Sequence, residues 1–176
     1  MSEVFHNDKP VISVSDDWVS FLKERAENSP LRRSRLCLHR NSDDAIHEMV
    51  IVMCKDVLFR PHRHRVKTES IHIIDGALDI ILFDKSGTVE EVIAMGPFGS
   101  GRNFSYRLSV SQFHAVLPLS DYVVVYEVTM GPYLEGDAEF APWAPADTDA
   151  LRKFLIDSAN TNRSHPRKSA LAIPTR

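Results

Sequence analysis

Cysteine is scarce in this chain, with only Cys37 and Cys54 among 176 residues. A disulfide-stapled secreted scaffold is thereby excluded, and two free thiols point to a reducing compartment. Long apolar runs are also missing. No segment approaches the roughly 20 residues that a membrane-spanning helix needs, and the stretch Met1–Asp17 has no apolar signal-peptide centre. The expected location is cytoplasmic, with no membrane partner. Positive charge is not in excess, since 21 Lys and Arg face 24 Asp and Glu, a net charge of −3. A general nucleic-acid binder would carry the opposite sign. The chain also lacks internal repeats and low-complexity tracts.

What is present is an ordinary soluble composition, 43% hydrophobic and 26% charged. A chain of this length can bury about 70% of its unfolded surface, so one domain without staples is expected. Ser15 is placed to cap a helix carrying Trp18, Phe21 and Leu22 on one face, with Asn28-Ser29-Pro30 as its stop. The basic segment Leu31–Arg40 reads as a strand or an extended arm. From Glu48 onward come short runs rich in Val, Ile, Leu and Phe. Strands are predicted at Met49–Cys54, Ser70–Ile74, Ala77–Phe83, Glu90–Met95, Phe104–Val110, Phe113–Leu117 and Tyr122–Met130. Asp75-Gly76, Lys85-Ser86-Gly87, Gly96–Gly101 and Leu119–Asp121 supply the turns between them. Many short strands at this spacing predict an antiparallel sandwich or barrel. A second helix is expected from about Ala146-Asp147-Thr148, with Leu151, Phe154 and Leu155 on one face and a loosely held polar tail from Asn160 to Arg176. The expected units are a helical extension at 1–30, a barrel at 31–147, and a helix with tail at 148–176.

The segment Pro61–Gly76 reads P-H-R-H-R-V-K-T-E-S-I-H-I-I-D-G. In it His62, His64 and Glu69 have the spacing H-x-H-x4-E, and Gly76 closes the pattern. Histidines two apart on a strand share a face, with Cα atoms about 6.6 Å apart, so both rings can reach one ion. A carboxylate from the next strand adds an anionic ligand. Imidazole with carboxylate suits zinc, iron, manganese or nickel. The spacing resembles the metal motif of the cupin superfamily, which implies one more histidine from a later motif, and His114, just ahead of an apolar strand, is the candidate fourth ligand. His72 falls on the opposite strand phase, and His6, His39, His47 and His165 lie outside the motif, with His39 the nearest of them to a candidate. Three imidazoles and one carboxylate on an octahedral divalent ion leave two open positions, whereas a tetrahedral zinc would be saturated.

This H-x-H-x4-E-x6-G spacing resembles the first motif of the cupin superfamily, which implies an all-β jelly-roll barrel, here flanked by an N-terminal and a short C-terminal helix. The cupin second motif, G-x5-P-x-G-x2-H-x3-N, is matched by His114 alone. Asn103, Ser109 and Ser111 stand at its Gly, Pro and Gly positions, Pro118 at its Asn, and Asp56 at the opening Gly of the first motif.

Arg65, Lys67, Arg107 and Gln112 are the candidate substrate-binding residues, since Arg and Lys near a metal suit a carboxylate or phosphate. Solvated charges that keep strand edges soluble are the plainer account of the same cations. Tyr106 and Glu127 are the candidate catalytic residues, given side chains that point inward.

R-R-S-R-L-C-L-H at Arg32–His39, H-E-M at His47–Met49, R-P-H-R-H-R-V-K-T-E-S at Arg60–Ser70, G-P-Y at Gly131–Tyr133 and F-A-P-W-A-P at Phe140–Pro145 together resemble the WbuC-type cupin-fold metalloproteins over roughly residues 31 to 147. That resemblance implies a metal in the barrel held by His62, His64, Glu69 and His114. It also implies a setting in O-antigen or other surface-polysaccharide synthesis, without an established reaction. Tyr133 and Trp143 suit closing one end of the barrel by packing. Two functions follow: a metal-dependent enzyme on a small anionic or sugar-derived substrate, of isomerase, epimerase or oxygenase type, or a non-enzymatic metal-containing binding or accessory protein. A metal-free RmlC-type epimerase fits less well, because the metal motif is retained. A homodimer is the default for the fold.

Overall fold

Strands dominate the computed structural model, which describes residues 3–161. Its elements run β1 (Val4–His6), α1 (Asp16–Glu27), β2 (Arg33–Cys37), β3 (Ile46–Cys54), β4 (His62–His64), β5 (Glu69–Asp75), β6 (Leu78–Phe83), β7 (Val89–Met95), β8 (Ser105–Leu108), β9 (Phe113–Pro118), β10 (Tyr122–Met130), β11 (Ala138–Phe140) and α2 (Thr148–Thr161). One sheet has the order β1-β2-β3-β10-β5-β8 and the other β11-β4-β9-β6-β7. The two sheets form a jelly-roll barrel, as expected.

Alternation along the strands builds three layers of core. Val123 and Val125 join Ile71, Ile73, Ile80, Leu82 and Val116 in the interior between the sheets. Val124 points the other way, into a cluster with Leu36, Val50, Val52 and the α1 residues Leu22 and Ala26. Ser34 Oγ donates to the Leu22 carbonyl at 2.7 Å, tying β2 to the helix. On the second sheet Ile81, Phe83, Phe113 and Ala115 pack under Leu151, Leu155 and Ala159 of α2. Full burial of each such aliphatic side chain is worth about 1.5–3 kcal/mol.

Several local readings differ from expectation. Ser15 precedes α1 but makes no side-chain hydrogen bond to it; Asp16 and Asp17 supply negative charge to the first turn instead. At α2 the cap is Asp147, whose Oδ1 accepts from the Ala150 N–H at 2.8 Å. Leu31–Arg40 contains a true strand, β2. Strands β1 and β11 were not anticipated, because three residues cannot display a periodicity. Gly76 turns the chain between β5 and β6 with φ +79, and a Cβ there would lie 2.2 Å from the Tyr122 carbonyl oxygen. Trp143 packs against Phe83, Phe113 and Phe154. The part of the expected tail beyond residue 161, with His165, lies outside the described residues.

Candidate metal centre

The two sheets bring the motif together from opposite walls. His62 and His64 are the ends of β4, and His62 is registered against His114 of β9 in the same sheet. Glu69 begins β5 of the other sheet, two residues before Ile71, so it shares that residue's inward phase. One ring nitrogen from each of His62, His64 and His114 lies within 4.8 Å of the other two. Glu69 approaches from across the barrel, with Oε1 3.1 Å from His114 Nε2 and Oε2 3.5 Å from His64 Nε2. His114 is 1% exposed and Glu69 6%.

The remaining ring nitrogens decide which way each histidine faces. His62 Nδ1 lies 3.1 Å from the Arg60 carbonyl, and His114 Nδ1 lies 3.1 Å from the Gln112 carbonyl. A carbonyl can only accept, so each Nδ1 carries the proton and leaves Nε2 as a free lone pair. His64 Nδ1 is held at 3.0 Å by Asp137 Oδ2. Glu69 Oε1 is buried and faces His114 Nε2. Three oriented ring nitrogens and a buried carboxylate in one small space are a donor set that fits a divalent cation.

The charges of these groups are interlocked. Burial, followed by His114, pushes His62 down to about 4. His64 is raised, chiefly by its interaction with Glu69. Burial of His114 works against its charged form, but Glu69 outweighs that and raises it. Burial would likewise raise the Glu69 carboxyl, yet His114 and His64 hold it well below the usual carboxylate range.

Beside this cluster lie two further polar groups. Tyr106 pairs with Ile71 and is 7% exposed within the interior cluster, and its hydroxyl has no hydrogen-bond partner. Glu127 follows Val123 and Val125 in the inward phase of β10, and burial, then Glu69, pushes its carboxyl up to about 7. A buried polar atom without a partner costs about 1–3 kcal/mol, so unpaired groups in a barrel point to a ligand that would satisfy them.

Other expected residues are placed elsewhere. Arg65 is exposed and meets Glu139 at 3.4 Å. Lys67 lies over the Tyr133 ring, 5.4 Å from its centroid. Arg107 is exposed on the phase opposite Tyr106. Gln112 contributes its carbonyl to His114, while its amide nitrogen donates to Glu90. His72 is exposed against Phe104. His39 stacks on His47 with ring centroids 4.2 Å apart, away from the metal motif's cluster, and His6 approaches it edge-on.

Two residues near the site were not singled out from sequence. Asp137 gave no signal, being 73 residues beyond His64. Arg33 was visible only as part of a basic segment. Its guanidinium lies over Phe59, which packs on the interior cluster, and Glu127 acts on it electrostatically.

Comparison with known proteins agrees with this architecture. Residues 14–95, just under half of the chain, match the family model described as a domain of unknown function (DUF6016). No curated protein matches the sequence. Protein SO0799 from Shewanella oneidensis is similar in structure with a TM-score of 0.55 at 12% identity, covering 89% of this chain and 99% of that one. CapF, solved with the inhibitor 3-isopropenyl-tropolone, gives 0.51 at 18% identity over 64% of this chain and 32% of its own. A structure of DMSP lyases gives 0.47 at 15% identity over 62% and 52%. The chain thus spans about half the length of the lyase and a third of CapF. The chain has the cupin jelly-roll fold. No described helix is long and apolar enough to cross a membrane.

Proposed function

We propose that this cupin protein holds one divalent metal ion with His62, His64, His114 and Glu69 and acts on a small oxygen-bearing substrate beside it. The observation that carries this reading is the arrangement of the rings: the Nδ1 atoms of all three histidines face acceptors, and their other faces converge beside the buried Glu69 carboxylate. When bound, the ion would polarise a substrate oxygen as a Lewis acid.

The chain's own groups suit proton transfer. Glu127, raised to about 7, can both take and return a proton near neutral pH. The Tyr106 hydroxyl can donate to a substrate oxygen, and Arg33 can face an anionic group. This favours isomerase- or epimerase-like chemistry over the oxygenase-like alternative. The likeness to WbuC-type proteins at Gly131–Tyr133 and Phe140–Pro145 supports a sugar-derived substrate in surface-polysaccharide synthesis, the free thiols Cys37 and Cys54 support a cytoplasmic setting, and the cupin fold supports a homodimer.

The test is elemental analysis of untagged protein purified without chelators, followed by a panel of sugar acids and nucleotide sugars. Solvent deuterium uptake read by NMR reports proton transfer. About one ion per chain with deuterium uptake that Glu127→Gln abolishes is the expected result. One tetrahedral zinc per chain with no turnover of any panel member would favour the non-enzymatic binding role.

A further inference from the structure

The strand that carries two of the three histidines is thinly held. β4 meets β9 at the single registered pair His62 and His114. Its other edge is covered by β11, where Ala138 faces His64, Glu139 faces Arg63 and Phe140 faces His62. The segment 131–140 therefore lies across the histidines as a strap held by polar contacts, ahead of Ala141, Trp143 and Ala144, which seat in the apolar cluster under α2. The Tyr133 N–H donates to the Ser42 carbonyl at 2.7 Å, and the Ala141 N–H donates to the Pro61 carbonyl at 2.8 Å. Arg63 makes a paired contact with Glu139 at 2.9 and 3.0 Å. Arg60 Nη2 reaches the carbonyls of Ala141 and Ala144.

One strap residue touches a histidine directly. Asp137 is 7% exposed and uses both carboxylate oxygens, Oδ2 for His64 Nδ1 at 3.0 Å and Oδ1 for the Val66 N–H at 3.1 Å. Its own carbonyl accepts from the Arg65 N–H at 3.2 Å. It thus grips the ligand ring and the turn just after it. We infer that Asp137 is the positioning residue for His64, and that docking of the strap and binding of metal are one coupled event. The inference rests on the metal reading above. A carboxylate on Nδ1–H sets the tautomer, fixes the ring plane and raises the basicity of Nε2. Coupling is reciprocal, so metal bound at His64 must in turn tighten the strap.

The experiment compares Zn(II) affinity, by competition with a chromophoric chelator, in wild type, Asp137→Asn and Glu139→Gln. An asparagine oxygen can serve only one of the two donors and carries no charge. Asp137→Asn is expected to weaken Zn(II) binding by about 10–100-fold and to alter the Co(II) absorption spectrum. Glu139→Gln removes only a solvent-accessible ion pair and leaves the backbone pairing of β11 to β4 in place, so the strap stays docked and affinity is expected to shift by less than about threefold. Equal losses in the two variants, or no loss in Asp137→Asn, would overturn the positioning role. A second readout needs no variant: hydrogen exchange across 133–140 in wild type should slow on adding Zn(II), and unchanged exchange would overturn the coupling. If wild-type protein itself takes up no metal, the reading of the site fails, and this inference falls with it.

Discussion

Strands β10 and β4 are built on opposite plans. β10 runs nine residues, is registered against β3 along its whole length and against β5 over Val124–Thr129, and buries Val123, Val124 and Val125 at 0–1% exposure. β4 has three residues, none fully buried, and hangs between one pair with β9 and three with β11. The strand that buries these valines offers Glu127 to the interior. The strand that offers two ligands adds little apolar burial of its own. Fold and site thus draw on different forces, area removed from water in one case and oriented hydrogen bonds in the other. Damage to one should be separable from damage to the other.

The sharpest way to break that separation is at β4. His64→Ala should lower metal affinity by more than ~100-fold, beyond what loss of a supporting residue costs, while far-UV circular dichroism stays that of the wild type. Unchanged stoichiometry in elemental analysis would refute the site. Ile80→Ala, at a fully buried interior position, should do the reverse. It should cost about 2–5 kcal/mol in urea unfolding, with one ion per chain retained below the new midpoint. A core variant that lost its metal while still folded would show the two regions to be coupled after all.

A smaller effect is expected with pH at the stacked His39–His47 pair. His39 is held below its ordinary value near 6.5, mainly by burial and then against the pull of its Glu48 backbone contact; His47 and His6 add to the lowering and Asp44 opposes it. The folded protein therefore binds fewer protons than the unfolded chain below that value. Stability from this group is complete above about 6.5 and is lost as pH falls towards the folded value. Urea midpoints measured between pH 7.5 and 5 should fall less in His39→Asn than in wild type, and identical slopes would exclude the contribution. Smallest of all is Ser15→Ala. A working cap would cost about 1 kcal/mol, but Ser15 makes no such bond, so a change in thermal midpoint beyond experimental scatter would contradict the structure.

How much could be read beforehand follows the same division. The interval from Tyr122 to Met130 is a continuous β-forming run, and the predicted strand coincides with β10. H-x-H-x4-E was legible because strand alternation alone places the two histidines on one side. His114 was legible from its place before an apolar run, although most of its surrounding motif is absent. Arg65 and Lys67 were read as facing a substrate from proximity in sequence; in the structure Glu139 and the Tyr133 ring occupy them. Both partners arrive from more than sixty residues away, on a loop and a three-residue strand that carry no periodicity. Arg107 differs from Tyr106 by one residue, and that one step is the difference between the interior and the outer face.

Local sequence by itself determined the longer strands, that two histidines share a face, and that a carboxylate follows at the next strand. These are consequences of backbone geometry and side-chain alternation, which act over a few residues. Only the tertiary structure decided that Glu69 meets His114 across the barrel, that burial and then Glu69 push Glu127 up to about 7, and that Asp137 closes over His64. Those contacts join residues tens of positions apart, and they exist because burying the valines and isoleucines between two sheets leaves the chain one way to pack.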